Sequence, residues 1–348
     1  MQHQRNAKEA ANNAVIGNLN HVIAFPKALG TGIVVHTEDE IDTQLESELQ
    51  TLIDNYETVL SRFRQDSLVT AMSNASHGGS FDFPDYLHPL FEIYDRLFAV
   101  TKGKIDPLVG ADLTQLGYGA DINFHASANV EQTVGAIHGR PQWDEAVTRH
   151  GTTLITHRAL QLDFGAVGKG FLVDLLSSAI AQMKGYVLID AGGDLRMECG
   201  NPIRIALEDP SNDEDAVGMA EIQNGSLCAS APSRRQWPLV LDQQQTQHST
   251  HEKSFITMHH LLNAIDGMPA NDVAATWVAI DNSSEATPTA SHNTTNYPTA
   301  WADGLSTALF VCDPVILSRA FAFECAVIFQ DRTALLSQHF PGSLFAQQ

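Results

Sequence analysis

The stretch Asp163 to Asp174, DFGAVGKGFLVD, constrains this chain more than any other. Gly165, Ala166, Gly168 and Gly170 interrupt the strand that leads into them, and the apolar run FLVDLLSSAIAQM that follows has helical spacing, so a strand turns into a helix here. Small residues let backbone approach an anion, the first turn of a helix offers it unpaired N–H groups, and Lys169 adds a compact positive charge. The glycine spacing of a Walker A loop is missing, and so is the Ser or Thr that follows its lysine. Taken alone, such a segment is more often a plain strand-to-helix turn with an exposed lysine.

Helices are also predicted from Glu40 to about Arg62, where Ile41, Leu45, Leu49, Leu52, Ile53, Tyr56 and Leu60 recur at helical spacing, and from Asp85 to Val100. HVIAFPKALGTGIVVHT reads as strands broken at Gly30 and Gly32, YVLIDAGGDLRM as strand, glycine turn and strand, and IRIALED and SLCAS as strands. KGKIDPLVGADLTQLGYGA reads as loop with short extended pieces, and SNDEDAVG and DQQQTQHSTHEKS as surface loops. Strands and helices alternate without the beat of a βαβ array, which predicts an α+β fold with mainly antiparallel sheet and flanking helices.

A chain of 348 residues, 43% hydrophobic and 18% charged, can bury a large core, which excludes wholesale disorder. Its length suits two ordinary domains or one elaborated one. The polar lead-in over residues 1–20 is expected to be a poorly ordered tail, and the Ser-, Thr-, Asn- and Pro-rich stretch over 281–300 a flexible loop. A formal net charge of -21 argues against nucleic acid or an anionic membrane as the main partner. A metal ion and a few local cations can still reverse the potential within one cleft. No segment has the apolar length of a signal peptide or a membrane span, so the chain reads as cytoplasmic. Cys199, Cys228, Cys312 and Cys325 form no C-x-x-C pair and are assigned no chemistry.

Two weaker signals lie downstream. Asp190-Ala191-Gly192-Gly193-Asp194 follows a strand and is by itself more often a tight hairpin than a binding loop. WADGLSTALFV sets Asp303 and Thr307 four residues apart, on one face of a helix, where a carboxylate, a hydroxyl and a nearby carbonyl make a hard oxygen site suited to Mg²⁺. The alternative there is a helix N-terminus capped by Asp303 or Ser306. His259 and His260 cannot point the same way on a strand, so at most one of them lines a cleft.

With their neighbours these segments form a series: ALGT (28–31), SRFRQDSLVTAMSN (61–74), KIDPLVGADLTQLGYG (104–119), DFGAVGKGFLVD, DAGGD, HLLNAIDG (260–267) and ADGLSTALFV. In this order they resemble the ApbE flavin transferases, and they span nearly the whole chain from about residue 25. The resemblance implies a single T-fold-like α+β domain over 21–345 with FAD bound beside Mg²⁺. The metal would be held by the Ala166 carbonyl and the side chains of Asp303 and Thr307. Flavin contacts carry over to Leu29, Phe63, Lys104, Ile105, Asp106, Asp163, Lys169 and Leu261. The substrate-binding set also takes in Asp174, Gly192, Gly193, Asp194, Ser230 and His260. Lys169, His260, Asp303 and Thr307 are the implied catalytic residues, with His260 or Asp303 as proton acceptor.

The implied reaction is Mg²⁺-dependent transfer of FMN from FAD to a Ser or Thr hydroxyl of an acceptor protein with an FMN-binding domain, through a phosphoester bond, with release of AMP. The same residues would serve an FAD pyrophosphatase, in which water replaces the acceptor, and a non-catalytic FAD-binding protein is the reading from another class. The chain departs from the family's pattern at Leu29, where Met is usual, at Asn263-Ala264, where Asp-Pro is usual, and at Ser230-Ala231, where Ser-Gly is usual.

Overall fold

A computed structural model describes residues 19–126, 129–241, 254–282, 294 and 296–345. Eight α-helices occur among them: α1 (Thr43–Leu60), α2 (Leu68–Asn74), α3 (His88–Thr101), α4 (Gly110–Gln115), α5 (Trp143–Ala146), α6 (Gly168–Ile180), α7 (Pro298–Ala308) and α8 (Pro314–Ala320). The strands of the first half are β1 (His21–Phe25), β2 (Ile33–Thr37), β3 (Gly79–Asp82), β4 (Thr148–His150), β5 (Thr153–Thr156), β6 (Val187–Asp190), β7 (Asp194–Asp209) and β8 (Asn212–Ser230). Those of the second half are β9 (Gln236–Leu241), β10 (Ser254–His259), β11 (Leu262–Asn263), β12 (Met268–Pro269), β13 (Val273–Asp281), β14 (Glu324–Phe329), β15 (Ala334–Leu336) and β16 (Gly342–Leu344).

Nine strands make one sheet in the order β1-β2-β6-β7-β8-β13-β14-β15, with β16 on β8, and every pairing in it is antiparallel. The α+β expectation therefore holds. Alternation along β13 sorts its two faces: Val278 and Ile280 join the core shared with the helices, while Trp277 and Ala279 join a second core on the far side. The helical stripe Leu49, Ile53, Tyr56 and Leu60 lies buried along α1, whose N-terminus is capped by Asp42 accepting from Leu45 N at 2.8 Å.

Two loop expectations are corrected. Within KGKIDPLVGADLTQLGYGA the chain forms a 3-10 turn at Pro107–Val109 and then α4, because the Asp106 carboxylate accepts from Leu108 N and Pro107 presets the first turn. SNDEDAVG belongs mostly to β8, which pairs with β7 in a long ribbon closed at Asp209↔Asn212. Its polar side chains at the start of β8 are exposed. The DQQQTQHSTHEKS loop lies almost wholly outside the described residues. The 1–20 tail reaches them only at Leu19 and Asn20, and Leu19 is buried in the far-side core. Most of 281–300 also lies outside, but Asp281 ends β13 and Pro298–Ala300 open α7.

Helix α7 is fixed from both sides. Hydroxyl contacts bind it to the sheet: Ser226 Oγ meets Thr299 Oγ1 at 2.8 Å, Ser230 Oγ meets Ser306 Oγ at 2.7 Å, and Thr276 Oγ1 donates to the Ser306 carbonyl at 2.8 Å. Each is worth about 1 kcal/mol net. Its first free N–H groups are satisfied by α6, whose Asp174 accepts from Thr299 N at 3.2 Å and Ala300 N at 2.9 Å. Asp303 and Ser306 lie inside α7 and do not cap it, so that alternative fails.

The two helices cross at Gly170, where a Cβ would stand 2.2 Å from the Thr299 carbonyl oxygen and 2.8 Å from Asp303 Cβ. Only glycine admits that approach. Gly170→Ala is therefore expected to lower stability by about 2 kcal/mol or more in urea titration. A cost below about 0.5 kcal/mol would show that the crossing yields easily.

Candidate active site

The crossing brings three charged side chains together. Lys169, in the first turn of α6, donates to Asp194 Oδ2, and its Nζ stands 3.6 Å from Asp303 Oδ1. Asp194 arrives from the glycine turn, where Gly192 and Gly193 take φ 67 and 105 and Gly193 N donates to Asp190 Oδ1 at 3.0 Å. That turn is a tight β6–β7 hairpin, and its two glycines meet a backbone requirement. Asp303 Oδ2 accepts from Gly170 N at 3.0 Å, so this N–H of the helix N-terminus is occupied by the chain's own carboxylate.

Asp194 is 0% exposed and Asp303 2%. Burial, and then Asp194, push the Asp303 carboxyl up to about 8, against Lys169. Burial raises Asp194 as well, with Lys169 opposing. Burial pulls Lys169 down, but Asp194 and Asp303 outweigh it and hold the ammonium above its ordinary value. Two acids share one cation, so below about pH 8 the charges balance because Asp303 keeps its proton, and loss of that proton leaves one negative charge in surplus. Asp194 Oδ1 is buried without a hydrogen-bond partner.

Once the Asp303 proton leaves, the carboxylate is left to answer a cation. The Ala166 carbonyl oxygen lies 3.9 Å from where a Cβ on Gly304 would stand, so it faces α7 next to Asp303. Thr307, half-buried, follows one turn on. A carbonyl, a carboxylate and a hydroxyl are the donor types that Mg²⁺ takes. Among the described residues no group of three His, Cys, Asp or Glu side chains gathers as a metal cluster; this donor set contains only one such side chain.

A cluster of cations and aromatic rings neighbours this centre through His260, which feels the charges of Arg235 and Lys169. His260 Nδ1 is buried without a partner, and burial, then Arg235, depress the ring to about 4. The His259 ring is occupied, bonded to Asn271 at 3.2 Å and accepting from Leu261 N at 3.3 Å, so of the two only His260 keeps a free ring nitrogen. Arg62 pairs with Asp163, donates to the Tyr118 carbonyl at 2.7 Å, and lies over the Phe63 and Tyr118 rings at 4.2 and 4.9 Å. Phe63 is 39% exposed. Leu29 is half-buried with φ 52, a strained conformation for a non-glycine residue, and its N–H is bound by Glu57 Oε1 at 2.6 Å.

Other expected contacts turn inward. Asp106 is 3% exposed and engages Arg140 at 3.2 Å, Leu108 N and Trp143 N. Ile105 and Leu261 are core residues, and Lys104 Nζ donates to the Val311 carbonyl at 2.8 Å. Both Asp163 oxygens are held internally, by Arg62 and by Gly165 N. Asp174 serves as the α7 cap and Ser230 binds Ser306. Ala264 N donates to the Lys104 carbonyl at 3.1 Å, a bond that a proline at this position could not make. Sequence reading missed Arg62, Tyr118 and Arg235, which are far apart in the chain and carry no spacing signal.

A mainly antiparallel α+β domain with an acid–lysine centre neighboured by a cationic cluster is the class that fold and site define. The chain belongs to the ApbE family, whose model matches residues 29–322. It is 23% identical over 243 residues to a Klebsiella pneumoniae protein named FAD:protein FMN transferase, covering 65% of this chain and 69% of that one. A Treponema pallidum protein of the same name is 24% identical over 322 residues, covering 85% and 76%. The crystal structure of an ApbE protein from Thermotoga maritima superposes with a TM-score of 0.72 at 17% identity, covering 91% of this chain and 97% of that one. The flavin transferase ApbE from Vibrio cholerae gives 0.69 at 20% identity over 92% and 97%. Among the described residues no helix is long and apolar enough to cross a membrane.

Replacing the lysine strands a buried acid. Lys169→Met is expected to destabilise the fold by about 3 kcal/mol at neutral pH, and Lys169→Met/Asp194→Asn to recover most of that loss. Denaturant titration of both variants checks it, and equal stabilities would show that the pair is not coupled.

Proposed function

We propose that this chain is a Mg²⁺-dependent FAD:protein FMN transferase. Acceptor Ser or Thr Oγ attacks the phosphorus on the riboflavin side of FAD, forming a phosphoester as the bond to AMP breaks. The acceptor's hydroxyl proton passes to His260 Nδ1, and AMP leaves. The observation that carries the reading is the meeting of Lys169, Asp303 and Asp194, on segments from three separate parts of the chain. The names of the family relatives supply the substrate class.

The residues have distinct tasks. Asp303 Oδ1, the Ala166 carbonyl and Thr307 Oγ1 would hold Mg²⁺, which when bound draws charge from the diphosphate. Lys169 supplies a fixed positive charge, locked in place by Asp194. Phe63 and Leu29 offer apolar surface to a flavin ring. Pyrophosphate cleavage needs little covalent chemistry from the protein, so positioning and charge do most of the work.

Asp303→Ala is expected to abolish Mg²⁺-dependent AMP release, followed by chromatography with FAD, Mg²⁺ and an acceptor flavoprotein. Wild-type turnover in that variant would refute the metal assignment. In the wild type, AMP only with acceptor supports transfer; AMP without acceptor supports hydrolysis; none in either supports storage. For His260, a ring depressed to about 4 stays neutral and able to accept a proton down to about pH 5. NMR titration of the ring checks this, and a midpoint near pH 6.5 would contradict it. His260→Gln is expected to slow transfer by about 100-fold or more with melting temperature held.

A further inference from the structure

Arg235 is a half-buried cation that no carboxylate of the described residues pairs with. Its guanidinium lies over the Tyr118 ring at 5.7 Å and donates to the Tyr118 hydroxyl. Arg62 lies over the same ring at 4.9 Å. The two arginines thus share one aromatic ring, but only Arg62 has an acid, Asp163, to answer it. Burial and then Arg62 lower the pKa of Arg235, as befits a cation set near another with no counter-charge. In a chain of formal net charge -21, acids to neutralise it are abundant, and none of those among the described residues stands against it.

The backbone explains where this charge points. Strands β9 and β10 pair Gln236 with His259, so one step further sets Arg235 beside His260. Nη2 of Arg235 stands 4.0 Å from the point where a side chain on Gly30 would begin, so the guanidinium faces the Ala28–Gly30 turn. That turn carries Leu29, and His260 feels the charges of both Arg235 and Lys169. The uncompensated charge therefore stands beside His260 and the turn that carries Leu29.

We propose that Arg235 is an anion-binding residue that grips a phosphate of the dinucleotide substrate, with Tyr118 as its positioning residue. The inference rests on the transferase reading and adds a residue that none of the recognised segments carries. A guanidinium can meet phosphate oxygens with two parallel N–H bonds, which lysine cannot do. The Tyr118 hydroxyl takes one N–H and the ring supports the guanidinium plane, so the remaining donors are fixed before the anion arrives.

The test titrates the full chain with FAD and with riboflavin, which lacks phosphate, following flavin fluorescence in the presence of Mg²⁺. Arg235→Gln is expected to weaken FAD binding about 10- to 100-fold while riboflavin affinity stays within about twofold. Loss of affinity for both ligands in equal measure, or for neither, would overturn the proposal. Since no acceptor protein is present, an Arg235 that serves an acidic acceptor segment instead gives unchanged FAD binding and also overturns it. Should Arg235→Gln fail to fold, Tyr118→Phe decides: it keeps the ring, and is expected to raise KM for FAD several-fold with kcat and riboflavin affinity unchanged. An unchanged KM there would sink the idea. If wild-type protein binds no FAD at all, the transferase reading fails first, an outcome distinct from a variant that binds as wild type does.

Discussion

The close crossing of α6 and α7 is the contact on which the centre depends. The Gly170 backbone meets Thr299 without a side chain between them, and at that distance Asp303 can take the Gly170 N–H. Asp174, one turn further along α6, reaches back to the first N–H groups of α7. Each helix therefore supplies the other with a carboxylate at its N-terminus, where the macrodipole favours negative charge. Any residue larger than glycine at position 170 would push apart two helices whose alignment sets both Lys169 and Asp303.

Buried charge on this scale has to be compensated. Asp194 and Asp303 are nearly sealed from water, and Lys169 can neutralise only one of them. Burying an unpaired carboxylate is costly, and the protein meets that cost partly by raising the Asp303 pKa to about 8. A purely structural network would be expected to balance its charges, as Arg332 does for Asp209 with two bonds at 2.8 Å. The imbalance at Asp303 is what favours the proposed cation there.

Much of this was legible in the amino-acid sequence, and the part that was not has a physical cause. Helices α1 and α3 could be read because their buried stripes repeat every three or four residues, and β6–β7 because Gly192 and Gly193 interrupt two apolar runs. Lys169 and Asp303 could be named from their segments, though not the N–H bond from Gly170 that links their helices. Asp174 was legible as a motif residue and not as a cap, since its partners lie 125 and 126 positions away. The α4 helix was hidden because short helices in Gly- and Pro-punctuated sequence are started by a local side chain, here Asp106, instead of by periodicity. Arg62, Tyr118 and Arg235 were invisible because cation–ring contacts leave no spacing pattern in the chain.

The distribution of charge gives the last step. An acidic surface repels a dinucleotide carrying a diphosphate, so entry requires a local reversal of potential. Arg62, Arg235 and Lys169 stand on elements far apart in sequence, yet the charges of Arg235 and Lys169 both reach His260, and Arg62 lies over the ring that carries Arg235. Asp163 and Asp194 hold Arg62 and Lys169 in fixed positions and thereby reduce their pull on an anion. Arg235 has no such partner among the described residues, so its charge remains the least screened of the three. Discrimination between a phosphorylated flavin and a bare one would then be set at Arg235, outside the acid–lysine centre.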